Sequence, residues 1–502
     1  MRNSRRSTTH GIQVSIRGSK NAQGFQNKWV AQNMNVNILQ QLETPYTRFA
    51  AGWVLGGIGL ILTAPDSRAL PSFARQFNVQ CIVCHTDFPI LTDMGRQFKL
   101  SGYTMSAEQT DLPPLAFFLQ PSFTQTQAGQ AGGAAPGFAN NNNFAVTQFS
   151  VFYAGRLLGP YASKLFGTDA ASFLNKIGIF SQTTYDGIGK SWSWDNTEVR
   201  YADIGTVSGH GLQYGVYMNN NPTLQDPWNS TPAWSFPFTS SGLAPTPAAG
   251  TLIDGGLAQQ VAGIGGYAMI DSSLYADVGA YRMLGSRYQR ALGIDPSGQT
   301  QIVGAAPYWR IAYTKPVNDA TCEVGLFGLA ADTYPGRVSS AGKDNITDVG
   351  IDSQIQKPVG RSDITAMVTA IYEHDKWGAS QALGNTTSGS DSLTEFKGTL
   401  DYLWDKTYGC AAQYFVTNGT SDALAYPTSQ TGSPDSNGFI LQLNYLPLNK
   451  GTGPSFWPRS NVKLSLQYVI YNRFDGSVAN VDGAGRSARD NNTLLLEAWI
   501  AF

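Results

Sequence analysis

The chain has 502 residues, and its Lys+Arg 34 against Asp+Glu 35 leave a formal net charge of -1. A nucleic-acid binder would need a basic excess, so that class is excluded, and 42% hydrophobic residues exclude a disordered chain. Only 14% charged residues, with Gly 54 and 12% aromatics, describe a β-rich chain with polar loops rather than a coiled coil or helical solenoid.

The first feature in chain order is an apolar run over 49–64, FAAGWVLGGIGLILTA, preceded by Arg48 and followed by Ser67-Arg68-Ala69. It falls short of the about 20 apolar residues that a membrane helix needs, and the small-x-small trio fits a cleavage site. Residues 1–69 therefore read as an export signal, with the mature chain starting at Leu70. An uncleaved anchor is the competing reading. The stretch before the run is long for a signal, which makes Met34 an alternative start. Arg5-Arg6 stands too far from the run to serve as a twin-arginine signal.

Next comes Cys81-Ile82-Val83-Cys84-His85. Cys-x-x-Cys-His is the attachment signature of c-type haem: the two sulfurs add to the vinyl groups and the adjacent histidine ligates iron. A thioredoxin-like pair would need a βαβ setting, and a zinc site two further ligands close by; neither follows. The expectation is one covalently bound c-type haem with His85 as proximal ligand, in a small helical cytochrome domain over 70–114. The sixth ligand stays open. Met105 has the most room to reach the opposite haem face, Met94 is nearer His85 in sequence, and His210, His374 or an open position are the alternatives. A methionine would raise the reduction potential, although either Met also suits plain packing against a porphyrin. Arg75, Arg96 and Lys99 are candidates for the haem propionates, against the ordinary reading of solvated charges.

From about 115 onward the pattern has period two. Phe396, Leu400, Tyr402 and Trp404 alternate with Glu395, Lys397, Thr399 and Asp401. Leu464, Leu466 and Tyr468 alternate with Lys463, Ser465 and Gln467, and Phe439, Leu441 and Leu443 with Gln442 and Asn444. The end puts Leu494, Leu496, Ala498, Ile500 and Phe502 on one face and Thr493, Glu497 and Trp499 on the other. Apolar-out, polar-in alternation in segments of about ten residues is the signature of a transmembrane β-barrel.

Sixteen strands are expected near 116–127, 143–157, 173–185, 192–204, 209–220, 256–270, 272–283, 302–316, 318–332, 346–357, 362–375, 394–406, 408–418, 436–447, 461–474 and 490–502. Gaps after even-numbered strands are mostly tight and those after odd-numbered strands long, as in outer-membrane barrels. The gaps 158–172 and 448–460 exceed that scheme. The loops 127–142 and 219–250 read as solvated, His210 and His374 as rim residues, and Cys322 and Cys410 as unpaired wall residues. The fold class is mainly β: an outer-membrane barrel of about 16 antiparallel strands over 115–502, its pore plugged by the cytochrome domain. About 45 residues are too few to bury a core without haem and a surrounding wall.

One stretch carries a family likeness. Pro71-Ser72-Phe73-Ala74-Arg75-Gln76, the Cys81–His85 motif, Phe88-Pro89-x-Leu91-Thr92 and Gly95-Arg96-x-Phe98-Lys99-Leu100-x-Gly102-Tyr103 follow in order. Residues 70–105 so resemble the outer-membrane cytochrome c–porin fusions of iron-oxidising bacteria. The barrel-length remainder and Phe502 are similar to that family's porin part and insertion signal. Asp93-Met94 departs from the family, where proline often follows the Leu-Thr pair. The resemblance implies an Fe(II):cytochrome oxidoreductase that oxidises extracellular Fe(II) and passes electrons to a periplasmic c-type cytochrome or copper protein. Ferrous iron gives one electron, so no acid–base constellation is required. The alternatives are a porin–cytochrome channel for outward electron transfer or redox sensing, a plain porin-type transport channel, or a secreted soluble β-rich haem enzyme.

Overall fold

The computed structural model describes residues 72–77, 79–105, 114–159, 161–229, 237–294, 296, 300–451 and 460–502. The export segment over 1–69, with its cleavage site, lies outside the described residues.

Sixteen antiparallel strands form a closed ring. They are β1 Leu115–Thr126, β2 Asn143–Arg156, β3 Ile177–Asp186, β4 Ser191–Val207, β5 His210–Asn219, β6 Val261–Ile270, β7 Leu274–Met283 and β8 Ala306–Val317. The ring continues with β9 Ala320–Tyr334, β10 Asp344–Val359, β11 Ser362–Lys376, β12 Ser390–Trp404, β13 Tyr408–Gly419, β14 Ser436–Tyr445, β15 Asn461–Arg473 and β16 Thr493–Ala501. Each pairs with the next, and β16 closes on β1 in a register running from Phe118↔Ala501 to Thr126↔Thr493. A two-residue strand, Gln301–Ile302, extends the place of β8 along β9. Closure leaves no unpaired strand edge, which is what lets a sheet stand in lipid.

The wall is inside-out relative to a soluble protein. Outward residues are large and apolar: Ile264 is 68% exposed, Val278 66% and Leu400 55%. Inward residues are polar and sealed, with Glu198, Arg200, Arg310 and Asp401 all at 0% exposure. The alternation expected for 395–404, 439–445, 462–470 and 493–502 is the one observed. Cys322 and Cys410 are free and fall on outward strand positions.

The two rims differ as expected. On one side the connections are 208–209, 271–273, 318–319, 360–361 and 405–407. Several are hairpin turns with both central residues at positive φ, such as Asn318 (47°) and Asp319 (63°), the twist that matches paired strands. The other rim carries the long loops. One of the two oversized gaps on the short side contains a helix, α3 Tyr161–Leu174, which packs Phe173 on outward-facing Tyr201 at 5.3 Å.

One loop departs from the sequence reading. Of the stretch 219–250, expected to be solvated, Asn219 to Trp228 are buried, as are Phe238, Ser241, Leu243 and Ala249. The β5–β6 connection folds into the lumen rather than out into solvent. There Asn219 donates to Gln225 (2.9 Å), and the Trp228 ring packs edge-on against Tyr275.

Candidate functional site

The segment before β1 is helical: α1 Ser72–Phe77, a 3-10 turn Cys81–Val83 and α2 Asp93–Leu100. The Thr92 side chain caps α2 by accepting from the Gly95 N–H, and itself donates to the Val83 carbonyl at 2.7 Å. That tie folds the Cys81–His85 turn back on the helix. Gly95 stands where a Cβ would overlap the Cys84 carbonyl oxygen. Gly95→Ala should therefore cost about 1–3 kcal/mol as overpacking, read as earlier protease cleavage within 72–105. Cleavage unchanged from wild type would mean that the turn does not depend on this contact.

The segment meets the wall on many sides of the lumen. Ser72 donates to the Ala154 carbonyl of β2 (2.9 Å), and Tyr103 donates to Glu198 of β4 (2.8 Å). Arg96 donates to Gln354 and Gln356 of β10 (3.0 and 2.8 Å). Lys463 of β15 donates to the Phe88 and Pro237 carbonyls (2.9 and 3.0 Å), joining segment, inner loop and wall, while Asn444 of β14 donates to Asp87. Gly178 of β3 lies so close that a Cβ there would overlap the Gly102 carbonyl oxygen.

Cys81, Cys84 and His85 all line one cavity of about 630 Å³ between this segment and the wall. Phe73, Phe88, Leu91 and Phe98 line it on their side, and Phe118, Phe152, Phe180 and Trp499 on the other. Phe88 meets Trp499 edge-on at 5.1 Å and His85 at 5.0 Å. The His85 Nδ1 lies 3.0 Å from the Pro89 carbonyl, which can only accept, so the ring carries its proton on Nδ1. Burial pushes His85 down to about 4 and the Cys84 thiol up to about 11. The imidazole is thus neutral, the ligating form, while the thiolates that zinc or a redox pair needs are disfavoured. Among the described residues no His/Cys/Asp/Glu group is set to hold a bare metal ion. Size, apolar lining and an oriented neutral histidine beside two cysteines fit a haem.

The other sequence candidates are dispersed. Met94 on α2 and Met105 are exposed, and neither lines the cavity. His210 is an exposed rim residue paired with Asp271 (2.6 Å), and His374 sits near the long-loop end of β11. Arg96 and Lys99 are buried, contrary to the solvated reading. Arg96 is spent on the Leu91 carbonyl, Asp93 and β10, and Lys99 on the Asp226 carbonyl and Asn229 (2.6 and 2.7 Å). The Arg75 side chain lies outside the described residues.

Sequence reasoning did not find the ion network behind the cavity. Arg310 of β8 is fully buried against Asp352 (2.9 and 2.8 Å), Glu323 (2.9 Å) and Asp226 (3.4 Å); Arg200 of β4 pairs with Glu198 at 2.7 Å. Inward positions carrying charge on successive strands were the available signal.

A closed ring, apolar outside and polar inside, with tight turns at one rim and long loops at the other, is the form that crosses a bacterial outer membrane. The chain is an outer-membrane barrel. No family model matches it, and no curated protein does. Solved structures of similar outline include OprB of Pseudomonas putida (TM-score 0.43, 11% identity, 77% of this chain and 93% of that one). An anion-selective porin from Comamonas acidovorans (0.40, 10%, 77% and 98%) and OmpT, an outer membrane protein of Vibrio cholerae (0.38, 11%, 77% and 96%), are similar in the same way.

Proposed function

We propose that this chain is an outer-membrane cytochrome–porin fusion that takes single electrons from extracellular Fe(II) and delivers them to a periplasmic c-type cytochrome or copper protein. The observation that carries the reading is the convergence of Cys81, Cys84 and His85 on one apolar-lined cavity inside the lumen. Cys81 and Cys84 would hold the haem through thioethers, and His85, oriented by the Pro89 carbonyl, would supply a nitrogen to its iron. Bound there, haem supplies a one-electron redox centre. Phe88, Phe118 and Trp499 keep water from that side, and the buried ties of Arg96, Lys99 and Lys463 fix the segment so that it blocks free diffusion. Fe(II) leaves as Fe(III), and the acceptor gains the electron.

The test is anaerobic addition of Fe(II) to the full chain in detergent, following the haem spectrum. The reduced α-band should appear without a mediator. A haem that stays oxidised with Fe(II) but reduces with dithionite would leave the fusion standing and remove the iron-oxidising direction, in favour of outward transfer or sensing. A plain porin-type channel is the second reading, favoured by the sixteen-strand wall, a size that in porins leaves an aqueous passage. Porin-like conductance in a planar bilayer of a purified chain that carries no haem would select it.

A further inference from the structure

The β2–β3 connection leaves the barrel on the short-turn side and runs outside the wall. On β2, Phe152 and Ala154 are buried and line the cavity, so Tyr153 between them faces out. Its hydroxyl donates to the Leu157 carbonyl (3.0 Å), shortly ahead of α3. On β4, Arg200 and Ala202 are buried, so Tyr201 also faces out, and Phe173 near the end of α3 stacks on it at 5.3 Å. Lys176 then pairs with Asp203 (2.6 Å), which also accepts the Tyr201 hydroxyl (3.0 Å). The connection that carries the helix is thus tied at both ends to the face of the wall that meets lipid.

Large apolar side chains stand open on this helix. Tyr161 is 50% exposed, Leu165 65%, Phe166 57% and Phe173 56%, while Ala162 and Ala171 are its only buried residues. Single exposed apolar side chains are ordinary, but four on one short helix, each at least half open, form a patch that calls for a partner. The patch is continuous with the lipid-facing wall: Tyr201 is the register partner of outward Val216 on β5, and outward Met218 follows it. Elsewhere on the same rim, Trp404, Tyr408 and Tyr445 form an exposed stack beside the 405–407 turn (5.6 and 5.3 Å). Such aromatic girdles mark the boundary between membrane and water. Ser163, Lys164, Thr168, Asp169 and Ser172 are exposed as well, so α3 suits that boundary rather than the hydrocarbon interior.

We propose that α3 lies in the headgroup region of the periplasmic phospholipid leaflet, with Leu165, Phe166 and Phe173 inserted among the acyl chains. Short turns mark the periplasmic rim of such barrels, and a helix lying in an interface binds through its buried apolar area. The exposed Lys164 supplies a cation for lipid phosphate. The helix thereby pins the β2–β4 side of the barrel at a fixed depth. This rests on the barrel alone and not on the haem.

The full chain, with the photo-crosslinker benzoylphenylalanine in place of Phe166, is reconstituted in vesicles of phosphatidylethanolamine and phosphatidylglycerol that carry a phosphate radiolabel, and irradiated. The same crosslinker at outward Ile264 and at exposed Asp319 in the 318–319 turn gives the lipid and water references. Lipid label on the chain should match that at Ile264 and exceed that at Asp319 at least about ten-fold, the preference that burying one phenylalanine side chain supports. Phe166 lies outside the ring, so unheated gel mobility should equal that of wild type; Leu165 takes the crosslinker if it does not. A yield no higher than at Asp319 would place the helix in water and overturn the proposal. A covalent dimer of the chain in place of the lipid adduct would overturn it too, by showing that a second copy covers α3.

Discussion

Serine at both Cys81 and Cys84 should yield a folded barrel that carries no covalent haem. Both sulfurs line the cavity, and no other described cysteine is near it: Cys322 and Cys410 sit on the outer wall. Every strand of the ring is paired without help from the segment before β1, so the barrel's heat-sensitive gel mobility should persist. The haem-stained band on a denaturing gel should disappear entirely, since each thioether needs one of these sulfurs. His85→Ala should instead retain the stained band and change the oxidised spectrum, because attachment and ligation use different residues. A double serine variant that still stains covalently would remove the haem from this site, and with it the electron-transfer reading.

The parts of this molecule that the sequence exposed are those in which neighbouring residues fix the outcome. A barrel strand must alternate between lipid and lumen, so Leu400, Tyr402 and Trp404 against Lys397, Thr399 and Asp401 betray β12 within a few positions. Covalent haem chemistry needs two sulfurs and an imidazole at fixed spacing, so Cys81, Cys84 and His85 stand out in any context. Burial of 219–228 is different. That stretch is rich in Asn and Pro, the composition of a solvated loop, and it becomes interior only because the polar inner faces of distant strands accept it. The α3 helix, with Gly167 at positive φ (78°) inside it, lacked a helical period to announce it. Lys99 and Arg96 likewise looked like surface charges until partners some hundred or more positions away enclosed them.

Arg310→Met should destabilise the barrel by about 3–5 kcal/mol, the range for breaking a buried ion cluster by removing one partner. The guanidinium is the hub of three elements. It grips Asp352 of β10 through two hydrogen bonds and Glu323 of β9 through one; it also lies beside Asp226 of the inner loop and over the Trp228 ring at 5.4 Å. Methionine matches part of the stem's volume but leaves three carboxylates at 1% exposure or less without their cation. Asp226 also accepts Lys99 through its carbonyl, so loosening the loop should loosen the α2 segment with it. The urea midpoint should fall, and protease should reach the 72–105 stretch at concentrations that spare wild type. Arg310→Lys should land between the two, keeping charge but losing the paired contact to Asp352. Removing Asp352 and Glu323 together with Arg310, as Asn, Gln and Met, should recover part of the loss, since no buried charge is then stranded by this substitution on β9 or β10. An unchanged midpoint in Arg310→Met would mean that water reaches this cluster freely, and that loop and wall are held by the Lys463 junction instead.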